Sequence, residues 1–144
     1  MPRMIFVNLP VTDLPRSMRF YEAVGAANEP SFTNEAAAMM RFSDAVNVML
    51  LTHDFYRTFT TKRIPDAHES AQVLLAVSAD SREAVDAQVE AAQAAGAVID
   101  PCPKQEMGGM MYGRSFEDPD GHIWEVMWMD DAAAEQGAGA FEDA

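Results

Sequence analysis

A pattern near the start of the chain returns about half a chain later. Val11 and Asp13 lead into a helical stretch that closes at Gly25, and Val77 and Asp80 lead into another that closes at Gly96. Arg41-Phe42-Ser43-Asp44 is answered more loosely by Arg114-Ser115-Phe116-Glu117-Asp118. The offset is roughly 67 to 74 residues in a chain of 144, and self-similarity at a fixed spacing marks one supersecondary unit used twice.

The periodicity within each half says what the unit is. Over Met4–Val11, Ile5, Val7, Leu9 and Val11 fall on one face and Phe6, Asn8 and Pro10 on the other, the alternation of a strand. Asp13 is an N-cap with Pro15 in the first turn behind it, and Leu14, Met18, Tyr21 and Val24 form a helical stripe. Ala37–Phe42 and Val46–Leu51 read as strands about the turn Ser43-Asp44-Ala45. In the second half Gln72–Ser78 is strand-like, and Asp80 with Glu83 forms a capping box. The helix runs on through Val85 and Val89. Val98–Ile99, Met110–Phe116 and Ile123–Met129 supply further strands, the last two joined by Asp118-Pro119-Asp120-Gly121. Pro101-Cys102-Pro103 must be extended or at an edge.

The expected fold is therefore α+β, two tandem β-α-β-β-β modules over about 4–70 and 71–130. One helix covers only one face of a four-stranded sheet. Two such sheets, forming a curved mixed sheet, can turn their bare faces inward around a cleft. Residues 131–144, rich in Ala, Gly, Asp and Glu, are expected to be a disordered or loosely docked acidic tail.

Composition narrows the function. A net charge of −13 argues against nucleic acid and anionic membrane surfaces as partners. No apolar stretch approaches the ~18 residues of a membrane span, and the N-terminus lacks the long apolar region of a signal peptide. The single cysteine, Cys102, cannot form an intramolecular bridge, so a cytoplasmic setting is expected and the thiol is expected to be inert. No Gly-rich phosphate loop, zinc pattern or nucleophile elbow occurs. His53–Ser70 is aromatic, basic and aperiodic, long enough for a binding loop, and Phe55, Tyr56 and Arg57 are candidates to cover a cleft mouth.

Two stretches, NLPVTDLPRSMRFYEAVG and GRSFEDPDGHIWEV, make the chain resemble the vicinal oxygen chelate superfamily. Its members include glyoxalase I, extradiol dioxygenases and bleomycin- and fosfomycin-resistance proteins. The resemblance spans about residues 4–129 and is closest to bacterial members labelled predicted lactoylglutathione lyases. It implies a homodimer and a divalent metal held in the cleft by four strands, acting as a Lewis acid. Position by position, Glu125 matches the last-strand ligand. The first-strand position is Phe6, with Asn8 two residues on. The second-half position, seven before Asp80, is Val73, and the internal repeat places the partner of Glu125 near Met49. One position of four carries a competent ligand, so no metal cofactor is expected unless His53, His68 and Glu125 rebuild a site.

Glu125 remains as a lone carboxylate on a strand face with Ile123 and Met127, a costly placement without a partner. Arg114, on a face with Tyr112 and Phe116, is a candidate partner for Glu125 or another acid, or an anchor for a ligand anion. Asn8, Phe6, Met49, Val73, Tyr112 and Arg114 are the candidate ligand-binding residues and Glu125 the candidate catalytic one. The favoured function is binding of a small, largely apolar molecule. The alternatives are a lactoylglutathione-lyase-like or isomerase-type enzyme with Glu125 as base, and a structural or regulatory dimer with a vestigial cleft.

Overall fold

A computed structural model describes residues 3–141. Both β-α-β-β-β modules are present, as two four-stranded mixed sheets. The chain divides into two compact units, one of Met1–Ala71 with Asp118–His122, the other of Gln72–Glu117 with Ile123–Ala144. The turn between the last two strands thus belongs to the first unit, a crossing that the repeat alone does not reveal.

In the first unit, β1 (Ile5–Val11) runs parallel to β4 (Val46–Thr52), which pairs antiparallel with β3 (Ala37–Arg41), and β3 with β2 (Ala27–Glu29). The three-residue β2 is too short to show a period and was not legible in the sequence. Helix α1 (Leu14–Ala23) is capped by the Asp13 side chain, which accepts from Arg16 N. It buries Leu14, Ser17, Phe20 and Tyr21. Tyr21 meets the Phe42 ring edge-on at 6.3 Å, which fixes the side of the sheet that α1 covers. Val48, Leu50, Ala38 and Met40 are buried in that core. A short helix, α2 (His53–Tyr56), follows β4 and is capped by Thr52.

In the second unit, β5 (Leu75–Ser78) runs parallel to β8 (Ile123–Met129), β8 pairs antiparallel with β7 (Met111–Glu117), and β7 with β6 (Gln105–Met107). Helix α3 (Arg82–Ala94) buries Val85, Val89 and Ala92. Its N-cap is Ser81, whose hydroxyl accepts from Ala84 N, rather than Asp80 of the apparent capping box. The expected strand at Val98–Ile99 is reduced to one bridge, Ile99 to Phe116, and β6 takes the outer place. Trp124, 2% exposed, lies with Phe116 and Val126 on the α3 side.

The described part of the tail is helical. Asp130 caps helix α4 (Asp131–Gln136), which buries Ala133, and a 3-10 turn follows over Gly137–Phe141. The alanines have the helix propensity and the aspartate the capping oxygen; residues 142–144 of the expected tail lie outside the described residues. No helix among the described residues is long and apolar enough to cross a membrane.

Candidate functional site

Glu125 stands in register with Ala76 of β5 and Ser115 of β7. Residues directly opposite one another share a face, so Ala76, Ser115 and Glu125 lie on the side of the sheet away from α3. Ile123 and Met127 flank Glu125 on that side, and Gly113 sits opposite Met127. None of these neighbours is charged. Glu125 is half-buried and makes no hydrogen bond or ion pair with any described residue. Cys102, Pro103 and Gln105 border a depression beside it of about 10 Å³, room for about one water. Cys102 is half-buried, its backbone N donating to Ser115 Oγ.

Arg114 is not on this face. It pairs with Val126, one residue out of step with Glu125, and so points to α3. There its guanidinium grips Asp100 with two hydrogen bonds, Nε to Oδ1 at 3.2 Å and Nη2 to Oδ2 at 2.8 Å. Nη1 donates to Asp86 Oδ1 at 2.9 Å, and the Tyr112 hydroxyl donates to the same oxygen at 2.6 Å. Arg82 stacks over the Tyr112 ring and pairs with Glu106. Of the partners open to Arg114, strand parity removes Glu125 and the contacts select two other acids, Asp86 and Asp100; Tyr112 and Arg114 do not share a face with Glu125. Both work in a network that ties β7 to α3.

The electrostatics follow from these contacts. The Tyr112 hydrogen bond, then Arg114, holds the Asp86 carboxyl below the usual range, against the opposing effect of burial. Arg114 does the same for Asp100, and the two carboxylates raise Arg114. Asp100 also holds a left-handed backbone, φ 54°, unusual for a residue with a side chain. Its N–H donates to Ser115 O at 2.7 Å and its carboxylate is clamped by Arg114, which together hold the conformation.

In the first unit Met49 occupies the place that Glu125 has in the second. Met49 is opposite Asn8 of β1 and Met39 of β3, as Glu125 is opposite Ala76 and Ser115. Asn8 and Ala76 each stand five residues ahead of a helix cap, Asp13 and Ser81. Phe6, 48% exposed, is two residues before Asn8 on the same face. Measured from Ser81, the position matching Phe6 is Leu74, 53% exposed, not Val73. Strand alternation puts Val73 in phase with Leu75 and Val77, whose partners Trp124 and Val126 face α3. The two positions differ by one because Ser81, not Asp80, caps α3.

These residue types do not fit the family's divalent ion. Phe6, Leu74 and Ala76 carry no donor, a thioether at Met49 suits soft metals, and Asn8 offers one neutral amide. Among the described residues no three His, Cys, Asp or Glu side chains converge to hold a metal ion. The histidines proposed for a rebuilt site, His53 and His68, border a cavity of the first unit together with His122.

Asn47 is a further polar residue on β4. It lies opposite Phe6 and Arg41, is fully buried, donates from Nδ2 to Ile5 O at 3.2 Å, and leaves Oδ1 without a described partner. A lone Asn in an otherwise apolar strand was the available signal. Phe55 and Tyr56 lie in α2. Phe55 packs edge-on against Phe59, and Arg57 pairs with Asp54 at the surface.

The family model of the Glyoxalase/Bleomycin resistance protein/Dioxygenase superfamily matches residues 3–126. Among solved structures, the chain is similar to a glyoxalase/bleomycin resistance protein/dioxygenase family enzyme from Burkholderia phytofirmans PsJN, with TM-score 0.75 and 20% identity over 90% of this chain and 100% of that one. A hypothetical protein from S. aureus aligns with TM-score 0.72 and 23% identity over 89% and 94% of the two chains. The fosfomycin resistance protein FosX from Mesorhizobium loti aligns with TM-score 0.66 and 16% identity over 94% and 98%. At these identities the structural likenesses establish the fold. No curated protein matches the chain.

Proposed function

The chain belongs to the glyoxalase/bleomycin resistance protein/dioxygenase superfamily, and we propose that it binds a small, largely apolar molecule on the helix-free face of its second sheet, without the divalent metal of its relatives. The observation that carries this reading is Glu125: an unpaired, half-buried carboxylate among Ala76, Gly113, Ile123 and Met127. An ionised carboxylate only accepts hydrogen bonds. The matching ligand therefore has an apolar body and one N–H, O–H or cationic group. Met127, with Met111 on the neighbouring β7, adapts to varied apolar shapes.

A thermal-shift screen of apolar amines, alcohols and carboxylates tests this. Amines or alcohols should stabilise the protein and carboxylates should not. In Glu125→Gln the stabilisation by amines should fall by about tenfold in affinity, the size of one charge-assisted hydrogen bond. Equal binding to Glu125→Gln would overturn the assignment.

The free carboxylate also supports a second reading, in which Glu125 is a general base for an isomerase- or lyase-type proton transfer. Solvent-deuterium exchange into a bound carbonyl compound, lost in Glu125→Gln, would favour it over binding alone. The homodimer implied by the resemblance belongs to the same proposal and is checked by sedimentation.

A further inference from the structure

All three histidines of the chain, far apart in sequence, line a single cavity of about 410 Å³ in the first unit. That volume lies in the range of small-molecule sites. Arg16 from the first turn of α1 joins them. Ile64, Pro65 and Pro119 give the cavity an apolar surface.

The walls are fixed by hydrogen bonds and close packing. Thr12 donates from both N and Oγ1 to Asp120 Oδ1, at 2.9 and 2.8 Å, and Ser17 donates to Asp120 Oδ2 at 3.4 Å. His122 Nε2 donates to Pro10 O at 2.8 Å. Gly121, at φ +91°, lets the 67–68 backbone pass so closely that a Cβ there would meet His68 N at 2.6 Å and Ala67 C at 2.7 Å.

The hydrogen-bonding capacity left over is mainly that of donors. Asp120 already accepts from three groups, and Asp66 Oδ1 takes His68 N at 3.0 Å. Arg16 makes one side-chain hydrogen bond, Nη2 to Thr12 Oγ1 at 3.2 Å, and no ion pair among the described residues. The His53 and His68 rings have no described hydrogen-bond partner. Lys62 and Arg63 immediately precede the lining residue Ile64. In a chain of net charge −13, an unpaired guanidinium and every imidazole gathered in one cavity is a marked local departure.

We propose that this cavity binds a small organic oxyanion, a molecule with one carboxylate or phosphate group on an apolar body. Arg16 takes the oxyanion through its unused N–H groups, in the paired geometry that suits a guanidinium. His53 and His68 add hydrogen bonds, and Ile64, Pro65 and Pro119 pack the body. A metal cation is disfavoured because the carboxylate oxygens it would need are largely engaged. Every residue lining the cavity belongs to the first unit, and Glu125 to the second.

The test is an NMR titration of the histidine ring signals, each of which reports on the cavity, with benzoate, phenyl phosphate and neutral benzyl alcohol at one fixed pH. The two anions should shift all three ring signals along one saturable curve, and benzyl alcohol should not. The stronger anion identifies the headgroup. Arg16→Gln should weaken anion binding about tenfold. Arg19→Gln, which removes an exposed charge from the same helix outside the cavity, should leave it unchanged. No saturable shift, equal shifts with benzyl alcohol, or equal weakening in the two arginine variants would overturn the proposal.

Discussion

The two units share one plan and differ most where the plan is least constrained. Each pairs a first strand parallel to a central one and lays a capped helix over one face. At the matched point of the bare face, one unit has Met49 and the other Glu125. On the helix side the contrast reverses. The first unit packs α1 through Leu14, Phe20 and Tyr21, whereas the second ties α3 to β7 through Arg114, Tyr112, Asp86 and Asp100. The turns between their third and fourth strands differ too. Ser43-Asp44-Ala45 is a local turn stitched by the Ser43 hydroxyl, while Asp118–Gly121 sends two buried carboxylates into the first unit. A duplicated fold keeps strand pairing and capping in both copies, and chemistry is free to diverge on the faces and turns.

The turns give the largest expected effect. Asp120→Ala leaves Thr12 N, Thr12 Oγ1 and Ser17 Oγ without their acceptor, and should destabilise the protein by about 2–4 kcal/mol. Asp44→Ala, at an exposed side chain, should stay within about 0.5 kcal/mol. Equal effects in urea unfolding would erase the distinction between the turns.

Next is the ion network. Arg114→Ala strips the partner from Asp86 and Asp100, and since Asp86 is 43% exposed the loss is discounted for solvent screening to about 1–2 kcal/mol. Both carboxyls are held below their unfolded value of about 3.9. Their stabilisation is therefore present above about pH 4 and lost as pH falls through the lower folded values. The gap between wild type and Arg114→Ala should be full at neutral pH and close on acidification below about pH 4.

Asp118, in the first unit, has the opposite sign. Burial pushes its carboxyl up, against the charge of His122 and the 2.7 Å hydrogen bond from the Tyr21 hydroxyl. Its contribution is fully present below the unfolded pKa and lost as pH rises through the folded one. Asp118→Asn keeps an oxygen for Asp120 N and His122 N. Its stability relative to wild type should improve from pH 4 to pH 7, seen in paired melts. A flat difference would contradict the buried-carboxyl account. The smallest effect is expected for Glu125→Met, which copies the first unit into the second. It should change stability by no more than about 1 kcal/mol, with ligand binding lost, because no described partner is left behind.

Much of the fold was legible because strand alternation and caps are local. Val11-Asp13-Gly25 gave the first strand and helix directly. A single decoy misplaced the second: Asp80 and Glu83 imitate a capping box, while Ser81 makes the cap, and that one residue moved the candidate from Leu74 to Val73. Strand parity could have separated Arg114 from Glu125 only once the register of β7 on β8 was known. Short β2 and β6 carry too few residues to show a period. The histidine cavity was out of reach, since it depends on the Asp118–Gly121 turn joining the first unit.

Glu125 stands without a second and third His, Cys, Asp or Glu beside it to hold a metal ion among the described residues. Elemental analysis of protein purified without chelator, before and after exposure to nickel, zinc, manganese and iron salts followed by desalting, tests it directly. The expected result is no stoichiometric metal in either wild type or Glu125→Gln. A firmly held ion present at one per chain in wild type and lost in Glu125→Gln would contradict it.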